Sequence, residues 1–187
     1  MNLKKSNVSC LILFLTLMSL SGCSTGKTGH TLFSIYDSSP QVIVEPASIS
    51  LGVATLLDTE VMFRGRGFRP QDSVNIKLRP LNGDNTAPGN SIPIATGYTD
   101  KEGQFSTKVE KLVKISELLK ADVTLNENIE PIVILDSPPI AEGIYIVQVE
   151  SLNYDSIAEE QLTVRAPDFM DRLKDQIGEA RGLIVRR

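Results

Sequence analysis

Between residues 41 and 166 apolar and polar positions alternate in short runs, each bounded by glycine, proline, asparagine or aspartate. Alternation at period two turns one face of a strand to a core and the other to solvent. "QVIVEP" and "ASISL" read as two half-strands at a sheet edge, separated by Pro46. "TEVMFRGRGF" turns Val61, Phe63 and, past its glycines, Phe68 inward, and "DSVNIKL" puts Val74, Ile76 and Leu78 on one face. After the polar loop "LNGDNTAPGN" come the strand "SIPIATGYT" and the turn "TDKEGQFSTKV", returning into Phe105, Thr107 and Val109. "GIYIVQVESL", with Tyr145, Val147 and Val149 in register, and "AEEQLTVRA" close the series. Many short strands with turn signals between them predict a mainly β fold, an antiparallel β-sandwich over residues 41–166 with Phe63, Phe68, Phe105, Tyr145 and Val147 in its core.

Two segments break the rhythm. "KISELLKA", Lys114 to Ala121, places Ile115, Leu118 and Leu119 on one side of a short inserted helix. The last segment, 167–187, predicts an amphipathic helix from Pro167 to about Arg181, followed by a basic tail. Asp168 and Asp171 lie in its first turn, and Phe169, Leu173, Ile177, Ala180 and Ile184 follow at steps of three or four. A lone helix of this length is marginal, so the stripe is expected to rest on its own domain, on a protein partner or second copy, or on a membrane surface.

The first residues carry a different pattern. Lys4 and Lys5 precede an apolar run from Val8 to Leu20 that is too short for an ordinary membrane span. It ends in Leu20-Ser21-Gly22-Cys23, which resembles the lipobox of bacterial lipoproteins. The resemblance implies a signal peptide over 1–22, cleavage before Cys23, and lipidation of that cysteine. Ser24 in the next position implies sorting to the outer membrane rather than the inner. Residues 23–40, rich in Ser, Thr and Gly, read as a flexible tether, with Leu32, Phe33, Ile35 and Tyr36 suited to docking on the domain. The "GKTG" in this tether lacks the spacing, preceding strand and following helix of a phosphate loop. Cys23 is then the only cysteine of the mature chain, which excludes an internal disulfide or a paired-cysteine site. Without Lys4 and Lys5, 17 basic residues face 23 acidic ones, a balance that argues against nucleic acid as a partner.

"FRGRGFRPQDSVNIKL" holds Gly65 and Gly67 one residue apart. A dinucleotide loop would need a third glycine at position 70, where Pro70 stands, and a helix where the chain instead alternates as a strand. In order, Gly65, Gly67, Phe68 and Pro70, then Asp100, Gly103 and Phe105, then Gly143, Tyr145 and Val147, resemble bacterial immunoglobulin-like domains of the IPT/TIG and related types. That resemblance covers about 41–166. It implies an immunoglobulin-like topology and a role in recognition or spacing, and assigns these positions to the fold rather than to catalysis. The segment 110–142 is longer than the usual link in such domains and is marked as the place for a task of the chain's own.

Chemistry is sparse. The one histidine, His30, lies in the tether, which excludes a Ser-His-Asp or Cys-His arrangement on the domain and a zinc site of His and Cys. There is no tryptophan to form a sugar platform. Acidic residues such as Asp58, Glu60, Asp72, Asp84, Asp100 and Glu102 stand in turns or beside strands. Asp84 and Asp100 belong to no alternating calcium-binding ladder. No catalytic residue, cofactor or metal is therefore expected. The function expected is that of a membrane-anchored envelope lipoprotein with a non-catalytic protein-binding or assembly module, its partner held through 110–142 or the 167–181 helix. The alternative is a lipid-anchored hydrolase, or an accessory subunit of an envelope enzyme, that uses surface carboxylates.

Overall fold

The first half-strand, β1 (Gln41–Glu45), and the second, β2 (Ser48–Ser50), flank a cis Glu45–Pro46 bond and belong to different sheets. The protein is described from a computed structural model over residues 39–81 and 91–187. The signal segment 1–22, Cys23, the tether up to residue 38, and the loop 82–90 with its Asp84 lie outside the described residues. Next come a short helix α1 (Val53–Asp58), β3 (Met62–Arg66), β4 (Ser73–Pro80), β5 (Ile92–Tyr98) and β6 (Phe105–Lys108). The inserted helix starts as α2 (Lys111–Val113) and continues as a π-helical turn (Lys114–Leu118). The rest is β7 (Asp122–Leu125), β8 (Pro131–Leu135), β9 (Gly143–Ser151), β10 (Ile157–Arg165), α3 (Phe169–Ala180) and β11 (Ile184–Arg186).

The fold is mainly β, and its strands curl into a half-barrel. One sheet has the order β1-β3-β6, a second β2-β10-β9-β4-β5, and a third β11-β8-β7. Pairing is antiparallel except where β2 joins β10 and β11 joins β8. The period-two pattern translates directly into burial. Val61, Phe63 and Phe68, then Val74, Ile76 and Leu78, then Phe105 and Val109, then Tyr145, Val147 and Val149 are all buried in one continuous core. Such alternation is what one strand face needs when the other is solvated.

Three differences from the sequence pattern have physical causes. α1 lies in "GVATLLDTE", where no helix is expected, because six residues carry too few periodic positions to announce one. The inserted helix begins at Lys111 rather than Lys114, while Ile115, Leu118 and Leu119 are buried as expected. The basic tail is partly a strand: β11 pairs with β8, matching Ile184 with Val133 and Arg186 with Leu135. Ile184 thereby becomes core, and Gly182, at φ +70°, turns the chain from α3 into that strand.

Candidate functional site

The residues of the first two sequence motifs come together at one end of the strands, whereas Gly143 and Tyr145 of the third lie at the other end of β9, where Tyr145 pairs with Pro80. Phe68 packs its ring edge-on against Phe105, with centroids 5.5 Å apart. The Phe105 ring lies over Gly65, where an added Cβ would meet its Cε1 at 2.0 Å. Gly103 holds φ +72°, and its backbone is so close to Phe68 that a Cβ would meet the Phe68 oxygen at 2.1 Å. Only glycine satisfies both conditions. Asp100 Oδ1 accepts from the amides of Glu102 and Gln104 and shapes that turn. The Asp100 carbonyl accepts from Gln71, next to Pro70, at 3.1 Å. Gly67 turns the chain at φ +77°, and Gly143 opens β9 at φ +147°. The Tyr145 hydroxyl donates to the Ala141 carbonyl at 2.9 Å, while burial pushes its pKa up. These residues stabilise turns and core.

Asp72, close to this end, is buried and accepts from Ser151, Asn153 and the Ser73 amide. The Ser151 bond, assisted by those from Asn153 and Ser73 and opposed by burial, holds its carboxyl below the usual range. Arg69 stacks on Tyr154 at 3.8 Å and ties the same loops together.

An apolar cleft lies elsewhere. A groove of about 410 Å³ opens between α1, α2, the β7–β8 pair and the turn leading into β11. Leu57, Leu112, Ile115, Val123, Val133 and Ile184 make it apolar, and Asp58 and Lys111 are its charged members. That is the size and character of a binding cleft rather than of a packing defect. The segment 110–142 thus meets the C-terminal segment here, across a wall that the sequence pattern does not announce.

That wall, α1, is too short to persist alone, and buried charges from distant parts of the chain hold both its ends. Its N-cap residue, Gly52, has no side chain to offer, so the cap comes from α3: the Asp175 carboxylate accepts from Val53 N at 3.1 Å and Ala54 N at 2.9 Å. One turn earlier, Asp171 accepts from the hydroxyls of Ser50 and Thr55. Asp171 and Asp168 also form the capping box of α3 itself. A Cβ on Gly52 would meet the Asp171 Cβ at 2.6 Å, so glycine permits this close approach. Burial pushes the Asp171 carboxyl up, but the bonds from Ser50, Thr55 and the Asp168 amide, with Lys174 nearby, outweigh it, and the net direction is down. At the other end of α1, the buried Lys114 ammonium donates to the carbonyls of Leu56 and Thr59. Burial first, and Lys111 second, lower its pKa.

The orientation of α3 follows from these bonds. Among the outcomes open for its stripe, packing on the chain's own domain is overturned for the residues that define the stripe. Phe169 is 77% exposed, Met170 56%, Leu173 40% and Ile177 50%, whereas Asp171 and Asp175 are buried. The helix docks by its acidic face because the surface beneath it is a helix N-terminus and two hydroxyls, which bind carboxylates and leave alkyl groups nothing to gain.

No family model matches the chain, and no curated protein matches its sequence. Among solved structures the chain is similar to macromomycin, at 14% identity and a TM-score of 0.39, over 68% of this chain and 100% of that one. It is also similar to a β-glucosidase from Listeria innocua, seen with glucose and with isofagomine, at 10% identity and a TM-score of 0.34. The likeness covers 67% of this chain but spans only 16% of the glucosidase. At these values it assigns no function.

Proposed function

We propose that the chain is an envelope lipoprotein anchored through Cys23, whose domain is an immunoglobulin-like β-sandwich acting as a non-catalytic protein-binding module. The fold reading is supported by the Phe68–Phe105 and Phe68–Gly103 contacts between the first two motifs. The Tyr145 hydroxyl bond to a backbone carbonyl four residues upstream, as in the tyrosine corner of such domains, supports it too. The functional reading rests on one observation: an apolar groove bordered by an uncovered edge strand. Among the described residues β7 ends its sheet, all four of its residues are exposed, and Val123 lines the groove. The backbone of this edge is open to a further strand, with Asp122 the one charge along it. Its occupant is an extended, apolar segment of an envelope protein, added along β7 with alternate side chains in the groove. Ile129, exposed at the β7–β8 tip with φ +64°, extends the apolar edge.

A photo-crosslinking residue in place of Leu112, which is 66% exposed beside the groove, tests this in intact envelopes. The expected result is one discrete protein adduct that disappears with Val123→Asp and persists with Tyr98→Ser, at the end of β5 that pairs with Ser73. An adduct indifferent to Val123→Asp, in a chain whose circular dichroism is unchanged, would overturn the groove as the binding site. Metabolic labelling with a fatty-acid analogue tests the anchor separately, since Cys23→Ala is expected to abolish the label.

A further inference from the structure

Because α3 is docked by Asp171 and Asp175, the surface it turns outward differs from what its composition implies. Its acids are either buried or engaged: Asp171 and Asp175 face inward, Asp168 caps the helix, and Glu179 accepts from Arg186. What remains outward is the stripe Phe169, Met170, Leu173 and Ile177. At 100° per residue, Arg172 flanks the stripe on one side and Arg181 on the other, both exposed, while Lys174, next to Arg181, turns its ammonium back to the Thr55 hydroxyl at 3.3 Å. The charge balance of the whole mature chain is acidic, so this apolar face with basic margins is a local arrangement.

Three occupants are conceivable for such a face, and the charges choose between them. A second copy would set basic margins against basic margins. A protein segment fits the groove on the other side of α1 better than it fits this convex helix. A bilayer with anionic headgroups accepts both features at once, taking the stripe at its acyl boundary and the cations at its phosphates. The chain's own geometry permits it. Seventeen residues, Ser24 to Pro40, separate Cys23 from β1, and at about 3.3–3.6 Å each they reach about 56–61 Å. The ten residues of strand and turn from Gln41 to Ser50, which lead to the end of the domain where α3 docks, span at most about 36 Å.

We propose that the outward face of α3 rests on an anionic membrane surface, making this helix a second contact that orients the domain on the bilayer. The inference leans on the lipid-anchor reading for proximity only; the chemistry of the face is independent of it.

The chain contains no tryptophan, so Leu173→Trp or Ile177→Trp places a single reporter on the face, at positions whose exposure leaves the fold intact. Tyr98→Trp, at the far edge of the five-stranded sheet, is the control. Each full-length variant is purified as the cell processes it and reconstituted into phosphatidylglycerol vesicles containing brominated phosphatidylcholine. Emission at positions 173 and 177 is expected to shift to the blue and lose most of its intensity to the brominated lipid, with position 98 unaffected. The shift should reverse in vesicles of phosphatidylcholine alone, or when Arg172 and Arg181 are both replaced by Glu. Unquenched emission at 173 and 177 would overturn the proposal. So would a blue shift that grows with protein concentration without vesicles, which would assign the face to a second copy. Mass spectrometry of the same samples reads the anchor. Acylated Cys23 with unquenched reporters refutes this inference alone. Unacylated Cys23 with quenched reporters refutes the anchor and leaves this inference standing, and failure of both readouts refutes both.

Discussion

Replacing Asp175 by Ala removes the acceptor for two backbone amides, Val53 N at 3.1 Å and Ala54 N at 2.9 Å, at the start of α1. A hydrogen bond to a charged group contributes about 1.5–3 kcal/mol, and a buried amide left without a partner costs about 1–3 kcal/mol. Val53 is buried and Gly52 has no side chain to substitute for the lost cap, whereas Ala54 is half-buried and regains water. The expected destabilisation is therefore about 3–4 kcal/mol, a large share of the 5–15 kcal/mol typical of a domain. The comparison variant is Ile177→Ser, two residues along the same helix. Isoleucine and serine have similar helix propensities, and full burial of an isoleucine contributes only about 1.5–3 kcal/mol. At 50% exposure its loss is expected to cost at most about 1.5 kcal/mol. Urea unfolding followed by circular dichroism, with the midpoint shift converted through a common slope, measures both. An ordinary amphipathic helix would rank the two the other way. If Ile177→Ser costs as much as Asp175→Ala, the helix docks by its apolar face and the account of α3 is wrong.

Phe105→Ala removes a buried ring packed on Phe68 and lying over Gly65, and is expected to cost about 3–5 kcal/mol; a loss below about 1 kcal/mol in the same urea titration would contradict the core assignment. The carboxyls of Asp171 and Asp72 are both lowered in the folded state from 3.8. Their contribution should thus be complete above pH 3.8, lost as pH falls through the lower folded values, and reduced by Asp171→Asn in an acid-unfolding titration. Lys114 has a folded pKa lowered from 10.5, so the unfolded chain binds more protons between the two values and stability is expected to rise as pH climbs toward 10.5. Lys114→Met should abolish that rise, and a rise that persists in the variant would assign it to another group.

The strand pattern was legible because alternation is a local property: Phe63, Val74, Ile76, Leu78, Val147 and Val149 needed only their neighbours in the chain to declare which face was inward. The glycines of the Gly65–Gly67 and Gly103 turns were legible for a similar reason, since a tight turn states its requirement at the residue that makes it. The inserted helix was visible from Ile115, Leu118 and Leu119, although its first turn was not. α1 carried no such signal. Its six residues are helical because Asp175 and Lys114, more than fifty positions away, occupy its two ends, and no window of sequence contains those contacts.

The helix α3 separates the two kinds of information most clearly. Periodicity determined that Phe169, Leu173 and Ile177 share one face and that Asp171 and Asp175 share another, because 3.6 residues per turn is a property of the backbone. Which face turns inward was decided by what lies beneath. The docking surface is a helix N-terminus with uncapped amides and the hydroxyls of Ser50 and Thr55, which reward carboxylates. That surface exists only after β2, α1 and β10 have assembled, so only the tertiary structure could reverse the helix and leave its apolar stripe outward.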